Sequence, residues 1–256
     1  MSPPGNAFHF SLNVIRFPNQ ASIFQARKPV VCPAKPTLYS GPNPLKGQSP
    51  IDLPASAKPV ANTGNFSVVL HTASAVMSHE GYIVKATWSG GPDSHLTLSG
   101  KVYKSLQLHP HAPSEHTLGG KQYPFEVHFV HADKDKNLAV VGIFFDLDPQ
   151  DKPNPFLTQV FSQFDQLTKP GDNFTLAALD PSSLHVKNSN VFRYSGSLTT
   201  EPFTEGVEWN VLQKVHTLSK AQLKQWSNVI NLPNARELQA LNGRVVTLLT
   251  KDHSVC

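Results

Sequence analysis

The sequence predicts a mainly β protein of the α+β type, with a large central, twisted, mostly antiparallel sheet and a few short peripheral helices. The chain has 256 residues, of which 39% are hydrophobic and 16% charged, as is typical of a folded globular domain. Many short apolar runs are separated by turn residues, whereas only two segments have helical periodicity. Sheet-rich folds often reach this length as one domain.

Positive charge is concentrated at the start of the chain. Residues 1–51 contain five basic side chains and no acidic one, which leaves 17 basic against 18 acidic groups in the rest. The main domain is therefore close to neutral. It lacks the overall basic character that indicates nucleic-acid binding.

The domain boundaries follow from composition. Residues 1–46 are predicted to be a basic, Pro/Ser-rich arm or a targeting segment, residues 47–250 the main domain and residues 251–256 a tail. The run 8–17 is too polar for a clear signal peptide, and no apolar run is long enough for a transmembrane segment. The sequence does not decide whether Cys32 and Cys256 form a disulfide, because that depends on the redox compartment.

The secondary-structure elements are predicted from periodicity. A helical stripe covers 154–167, and a second helix over 219–230 opens with the capping box Ser219 and Gln222. The predicted strands are 66–71, 82–88, 105–109, 125–131, 139–147 and 207–213.

The stretch "LQLHPHAPSEH" (106–116) is the most informative part of the sequence. His109 and His111 are two residues apart and therefore face the same side of a strand. If a Gly-Gly turn follows at 119–120, counting outward from it places His111 opposite His128. Three converging imidazoles predict a zinc site with a fourth position open for water. An isolated H-x-H is more often a pair of solvent-exposed histidines that bind nothing.

Several motifs in one order strengthen this interpretation. The chain reads "GQSPIDL", "QLHPHAPSEHT", "EVHFVH", "LAVVGIFF", "GSLTTEP", "VEWNVL" and "NARELQALNGR". These motifs, from about Gln48 to Arg244, resemble the alpha-class carbonic anhydrase family. The resemblance implies the fold of that family, and a zinc lyase that hydrates carbon dioxide reversibly to bicarbonate and a proton by zinc-bound hydroxide. It also favours a secreted or organellar location and binding of aromatic sulfonamides.

The resemblance implies a role for individual residues. Zn²⁺ would be held by His109, His111 and His128, with Gln107 and Glu126 orienting two of the rings. Thr199 would pass its proton to Glu115 while accepting a hydrogen bond from the hydroxide. His116 and Tyr194 match buried hydrogen-bonding residues of the family. The implied substrate pocket consists of Val130, Val140, Leu198, Thr200, Val207 and Trp209.

Two departures from the family pattern affect the expected chemistry. Asn65, in "NTGN", takes the position where the family has a proton-shuttling histidine, which predicts an impaired or alternative proton shuttle. Pro110 lies between two of the histidines and, because it lacks an N–H, is expected to disturb the strand. The alternative function is a zinc-retaining, carbonic-anhydrase-like binding, scaffold or storage protein with little hydratase activity. The sequence leaves the oligomeric state open.

Overall fold

The computed structural model describes residues 46–62, 65–89 and 93–251. The arm before Lys46, both cysteines and the tail from residue 252 lie outside these ranges, so the predictions for them stay untested. Within the described ranges, no helix has both the length and the apolar character needed to span a bilayer.

Short and medium strands make up most of the described chain. In chain order they are β1 (Asp52–Leu53), β2 (Pro59–Ala61), β3 (Phe66–Val69), β4 (Ala73–His79), β5 (Val84–Trp88), β6 (His95–Leu98), β7 (Lys101–His111), β8 (Thr117–Leu118), β9 (Lys121–Gln122), β10 (Phe125–Ala132), β11 (Leu138–Leu147), β12 (Asn173–Leu179), β13 (Val191–Ser197), β14 (Glu205–Leu212), β15 (His216–Leu218) and β16 (Thr247–Thr250). Each of the six predicted strands overlaps one of these.

The strands form one large sheet and one small one. The large sheet has the order β12-β4-β5-β7-β10-β11-β14-β13-β16-β2. In addition, β6 pairs with the first half of β7, β3 pairs with β6, and β15 pairs with β11. The strands β1, β8 and β9 form the small sheet. Most ladders among the described strands are antiparallel; β1–β8, β11–β14, β11–β15 and β16–β2 are parallel. The predicted fold class is confirmed.

Both faces of the sheet are covered at its centre, and β10 illustrates this. Val127 and Phe129 face a large apolar core that includes the helices, whereas Val130 belongs to a second apolar cluster on the opposite face. Residues from Phe125 to His131 are all buried. Because each face is enclosed, polar residues that alternate with these apolar ones are buried too, and each of them needs a partner.

The helices are short and lie at the periphery. Helix α1 (Pro155–Val160) is capped by Asn154, and α2 (Lys220–Val229) begins with the predicted capping box. The single helix predicted over 154–167 is wrong in extent, because α1 is followed by a separate 3₁₀ turn, Phe164–Gln166. Phe161 and Phe164 pack together in the core, and their three-residue spacing suits the tighter helix. Further 3₁₀ turns are Ser182–Leu184 and Val186–Asn188.

Candidate metal centre and active-site cavity

Three histidine side chains converge where the end of β7 lies beside β10. The ring centroids of His109 and His111 are 5.1 Å apart, and that of His128 lies 5.3 and 4.6 Å from them. One nitrogen of each ring lies within 4.8 Å of the other two. His111 and His128 are buried, and His109 is partly exposed. The structure therefore brings together the three histidines that the sequence singled out.

The pairing that brings them together differs from the predicted one. The two-glycine turn joins β8 to β9 as expected, but β7 and β10 pair His109 with His128 and His111 with Glu126. The predicted register is wrong by two residues, because the chain leaves the sheet after His111 and makes a longer excursion there than on the returning side. A shift of two keeps every side chain on its face, since side chains alternate with period two.

Each ring is held from behind by one hydrogen bond. His109 Nδ1 donates to Gln107 Oε1 at 2.8 Å, His111 Nδ1 donates to the Asn234 carbonyl at 3.0 Å, and His128 Nε2 donates to Glu126 Oε1 at 2.9 Å. These oxygens only accept, so the outer nitrogens carry the protons. The remaining nitrogen of each ring then has a free lone pair, and these three nitrogens face one another.

The electrostatics keep these rings neutral. Burial lowers the pKa of His111 to about 4 and also lowers that of His128. For His109, burial and then the neighbouring histidines and Lys85 lower the pKa well below its usual value. Neutral imidazoles are the form that binds metal ions.

One atom of the group has an unmet bonding requirement. His111 Nε2 is buried and has no hydrogen-bond partner. A buried polar atom without a partner is costly, and three imidazole nitrogens with an open cavity beside them match the ligand set of a catalytic zinc ion. The residues present therefore fit zinc.

Asn234 is a residue of the centre that the sequence interpretation missed. Besides its carbonyl, which binds His111, its side chain accepts from the Ala112 N–H at 2.9 Å and donates to the Pro110 carbonyl at 3.1 Å. Asn234 thus fixes the strand on both sides of the histidine. The quoted motif "NARELQALNGR" contains this residue, but nothing in its spacing indicates the role.

Contrary to the expectation from the sequence, Pro110 does not disturb the strand. The pairing of β7 with β10 runs through Pro110 without a shift. N–H and C=O of one strand residue point to the same side, and the Pro110 carbonyl points to Asn234, not to β10. The missing N–H therefore removes no hydrogen bond from this ladder.

Glu126 connects the centre to a second buried group. Its Oε1 accepts from His128 and from His116 Nδ1, and its Oε2 accepts from the backbone N–H groups of Glu115 and His116 at 2.8 and 2.9 Å. Burial alone would raise the pKa of Glu126, but these histidines and hydrogen bonds hold it well below its usual value. Glu126 is therefore an ionised acceptor, and His116 Nε2 continues the network to Tyr194 at 2.8 Å.

Glu115 faces the three histidines. Its Oε1 accepts from the Arg236 N–H at 2.9 Å, whereas its Oε2 has no hydrogen bond of standard geometry and lies 3.5 Å from His111 Nε2 and 3.8 Å from His128 Nδ1. Burial raises the pKa of Glu115 to about 7. His128 and the hydroxyl of Thr199 partly offset this increase.

A cavity of about 310 Å³ opens onto the centre. Of the predicted pocket residues, only Val207 is absent from its walls; it is buried in the apolar cluster behind them. The lining residues in the described ranges are Glu80, Tyr82, Ile83, Lys85, Leu106, Gln107, His109, His128, Val130, Leu138, Val140, Leu198, Thr199, Thr200 and Trp209.

Asn65 lies elsewhere, and its predicted position at the cavity mouth is wrong. It is not among the described lining residues, and its carbonyl accepts from the Ser99 N–H, just before β7 begins. From Lys101 to His109 the strand extends over roughly 26 Å at about 3.3 Å per residue. The described wall instead includes Glu80, Tyr82 and Lys85, on or just before β5, the strand that pairs with the ligand-bearing half of β7.

A sequence signal for this segment existed. In "EGY" (80–82) a glycine directly precedes the last residue, just as in "TGN" (63–65). The segment "EGY" also leads into a predicted strand. Tyr82 is 59% exposed, as expected at a cavity mouth. The asparagine in "NTGN" favoured the wrong segment.

Comparison with known proteins agrees with this architecture. The family model described as eukaryotic-type carbonic anhydrase matches residues 43–250. The chain belongs to this family. Alpha carbonic anhydrase 8 of Arabidopsis thaliana is 35% identical over 209 residues, which are 79% of this chain and 53% of that protein. This chain thus spans about half the length of that carbonic anhydrase.

Solved structures are also similar to this chain, both in sequence and in fold. The alpha-carbonic anhydrase of Thermovibrio ammonificans, in complex with the inhibitor sulfanilamide, is 38% identical with a TM-score of 0.71, covering 79% of this chain and 87% of that one. Dioscorin complexed with ascorbate is 31% identical with a TM-score of 0.72, covering 81% and 87%. The predicted family and enzyme class are therefore supported by sequence and by fold.

Proposed function

We propose that this chain hydrates carbon dioxide reversibly to bicarbonate and a proton, with zinc held by His109, His111 and His128. The observation that carries the proposal is the buried Nε2 of His111, which has no hydrogen-bond partner and faces the other two rings. Family membership supports the same chemistry.

Zinc, when bound, supplies a Lewis acid and, from water, a hydroxide nucleophile near neutral pH. Three neutral ligands leave its charge undiminished. Gln107, Glu126 and the Asn234 carbonyl hold the rings in the tautomer and orientation that binding requires. Removal of such supporting partners typically costs about 10- to 100-fold in metal affinity or activity.

Thr199 and Glu115 are proposed to orient the attacking oxygen. When Glu115 is ionised it can only accept a hydrogen bond, so the Thr199 hydroxyl donates to it. The Thr199 oxygen can then only accept from an O–H group in the cavity. This polarity selects a protonated oxygen beside the histidines and directs its lone pair toward the substrate.

Carbon dioxide is proposed to rest on the apolar part of the cavity wall. Val130, Val140, Leu198 and Trp209 line that part, and Thr200 adds a hydroxyl. An apolar wall suits a small, uncharged molecule without hydrogen-bond donors.

Proton release is proposed to limit turnover in weak buffer. Among the described lining residues, the histidines are the proposed zinc ligands themselves, and Glu80 is tied to Lys85 at 2.7 Å. Tyr82 at the mouth has a phenol in place of an imidazole, the side chain best suited to proton transfer near neutral pH. Buffer would then carry the proton away.

The test is stopped-flow hydration of carbon dioxide on zinc-verified protein over a range of imidazole concentrations. We expect a rate that rises with buffer. Tyr82→His should raise the rate in weak buffer, whereas the matched control Asn65→His should leave it unchanged. A gain in Asn65→His alone would contradict this account of the mouth.

The main alternative is a zinc-retaining binding, scaffold or storage protein. The similarity to dioscorin, whose structure contains ascorbate, supports this alternative. Zinc-loaded protein that hydrates no carbon dioxide at any buffer concentration would favour this alternative and reject the enzyme.

A further inference from the structure

Lys85 is a charged residue beside the proposed zinc ligands. The reaction described above gives Lys85 no role. β5 pairs with β7 as Ala86 with Leu108 and Thr87 with Gln107. Continued by one residue, this register sets Lys85 across from His109, and opposed residues of paired strands have side chains on the same face. Lys85 does line the cavity.

Lys85 and Glu80 form an ion pair at the mouth. Lys85 Nζ lies 2.7 Å from Glu80 Oε2, and their side chains are 30% and 40% exposed. By this register Lys85 lies on β5 across from His109, whereas Glu80 precedes the strand and is the more exposed partner. Lys85, not Glu80, is therefore the member of the pair that faces a proposed zinc ligand.

The rest of the wall makes this charge prominent. Among the described lining residues, Glu80 and Lys85 are the only ones with a carboxylate, ammonium or guanidinium group. Apolar side chains such as Leu106 and Leu138 line much of the remainder. A fixed charge beside a low-dielectric wall acts more strongly on a ligand than the same charge in open water.

We propose that Lys85 makes the cavity selective for anions, with bicarbonate and small carboxylates as the ligand class, and that Glu80 moderates this selectivity by pairing with it. The inference rests on the proposed function, because it concerns the same cavity. It assigns Lys85 as a specificity-determining residue that contacts no reacting atom.

The experiment compares two probes of nearly the same shape, one charged and one neutral. Zinc-loaded protein is titrated calorimetrically with benzenesulfonamide carrying a para-carboxylate and with the neutral para-carboxamide. The measured quantity is the ratio of the two affinities. We expect Lys85→Gln to lower the carboxylate preference roughly three- to tenfold, and Glu80→Gln to raise it by a similar factor, the range for a part-exposed charge.

A matched control is present on the surface. Lys121 and Asp146 form an ion pair at 2.6 Å with side chains 57% and 36% exposed, and neither lines the cavity. Lys121→Gln removes the same charge from the same kind of pair. It should leave the affinity ratio unchanged, which separates a local effect of Lys85 from a change in net charge.

Thiocyanate gives a second measurement that needs no sulfonamide. Its affinity for zinc-loaded protein should fall in Lys85→Gln and rise in Glu80→Gln. If the ratio and the thiocyanate affinity are the same in all variants, or if thiocyanate does not bind the parent protein, the anion selectivity is rejected. Zinc content and hydration, measured on the same samples, report separately on the proposed function.

Discussion

His111 and His116 are five residues apart, both buried, and differ in how their nitrogens are used. His116 donates from Nδ1 to Glu126 at 2.8 Å, and its Nε2 lies 2.8 Å from the Tyr194 hydroxyl. His111 has one hydrogen bond, to the Asn234 carbonyl, and its Nε2 has none. A fully bonded imidazole needs nothing further, whereas an imidazole with one open buried nitrogen is a candidate metal ligand.

Glu126 contacts both the histidines of the proposed zinc site and the hydrogen-bonded group around His116. Distances alone do not show which of the two is the metal site. His116, Glu126 and His128 also lie close enough to hold a metal ion. In that group, however, the short contacts are hydrogen bonds, and the network continues from Tyr194 to Ser49 at 2.8 Å. Proximity of ligand-type residues therefore identifies a metal site only when the lone pairs are free.

The largest expected effect tests the open nitrogen. His111→Gln should reduce zinc affinity by far more than the roughly 10- to 100-fold expected for a supporting residue, and hydration should be lost with the metal. Zinc content after dialysis against a weak chelator measures the effect. His116→Gln is the matched variant and should keep zinc. Equal zinc loss in both variants would break the distinction between the two histidines.

Glu126→Gln should affect both groups at once. The amide removes a buried charge that accepts four hydrogen bonds and puts an N–H donor beside groups that also donate. We expect zinc affinity to fall about 10- to 100-fold and the free energy of unfolding to fall by about 3 kcal/mol. Calorimetric zinc binding and urea unfolding measure the two effects; a change in only one would mean that the groups are independent.

The pH dependence of stability provides a third test, on zinc-free protein. The pKa of His111 is about 4 in the fold against an ordinary 6.5, so the unfolded chain binds the extra proton between these values. Stability is then complete above pH 6.5 and falls as the pH drops toward 4, by as much as about 3 kcal/mol. His111→Gln should make this slope shallower in urea unfolding curves, with the remainder due to the other buried histidines, and an unchanged slope would contradict the low pKa.

The smallest expected effect concerns the bonded group alone. Tyr194→Phe removes the hydroxyl between His116 and Ser49, and we expect the free energy of unfolding to fall by about 1–2 kcal/mol. Zinc affinity should stay within about twofold, because the ligands keep their own partners. A large loss of zinc would mean that the network behind His116 positions the ligands.

Much of the candidate centre could be predicted because it depends on spacing. His109 and His111 share a face in any strand, and His128 joins them whether the register is right or wrong by two. The error in pairing came from the excursion after His111, whose length on each side of the turn no local pattern indicates. The helix predicted over 154–167 was wrong in extent because its apolar stripe does not indicate where the α-helix ends and the 3₁₀ turn begins.

The sequence by itself determined the β-rich class, the residue types of the centre and the faces on which they lie, because side-chain alternation is a local property of the chain. The tertiary structure decided which segment borders the cavity and which atoms hold each ring. Asn234 reaches His111 across 123 residues, and β5, not the segment of Asn65, lies beside the ligand strand. Such contacts depend on how strands are ordered in the sheet, and strand order is set by the packing of the whole domain.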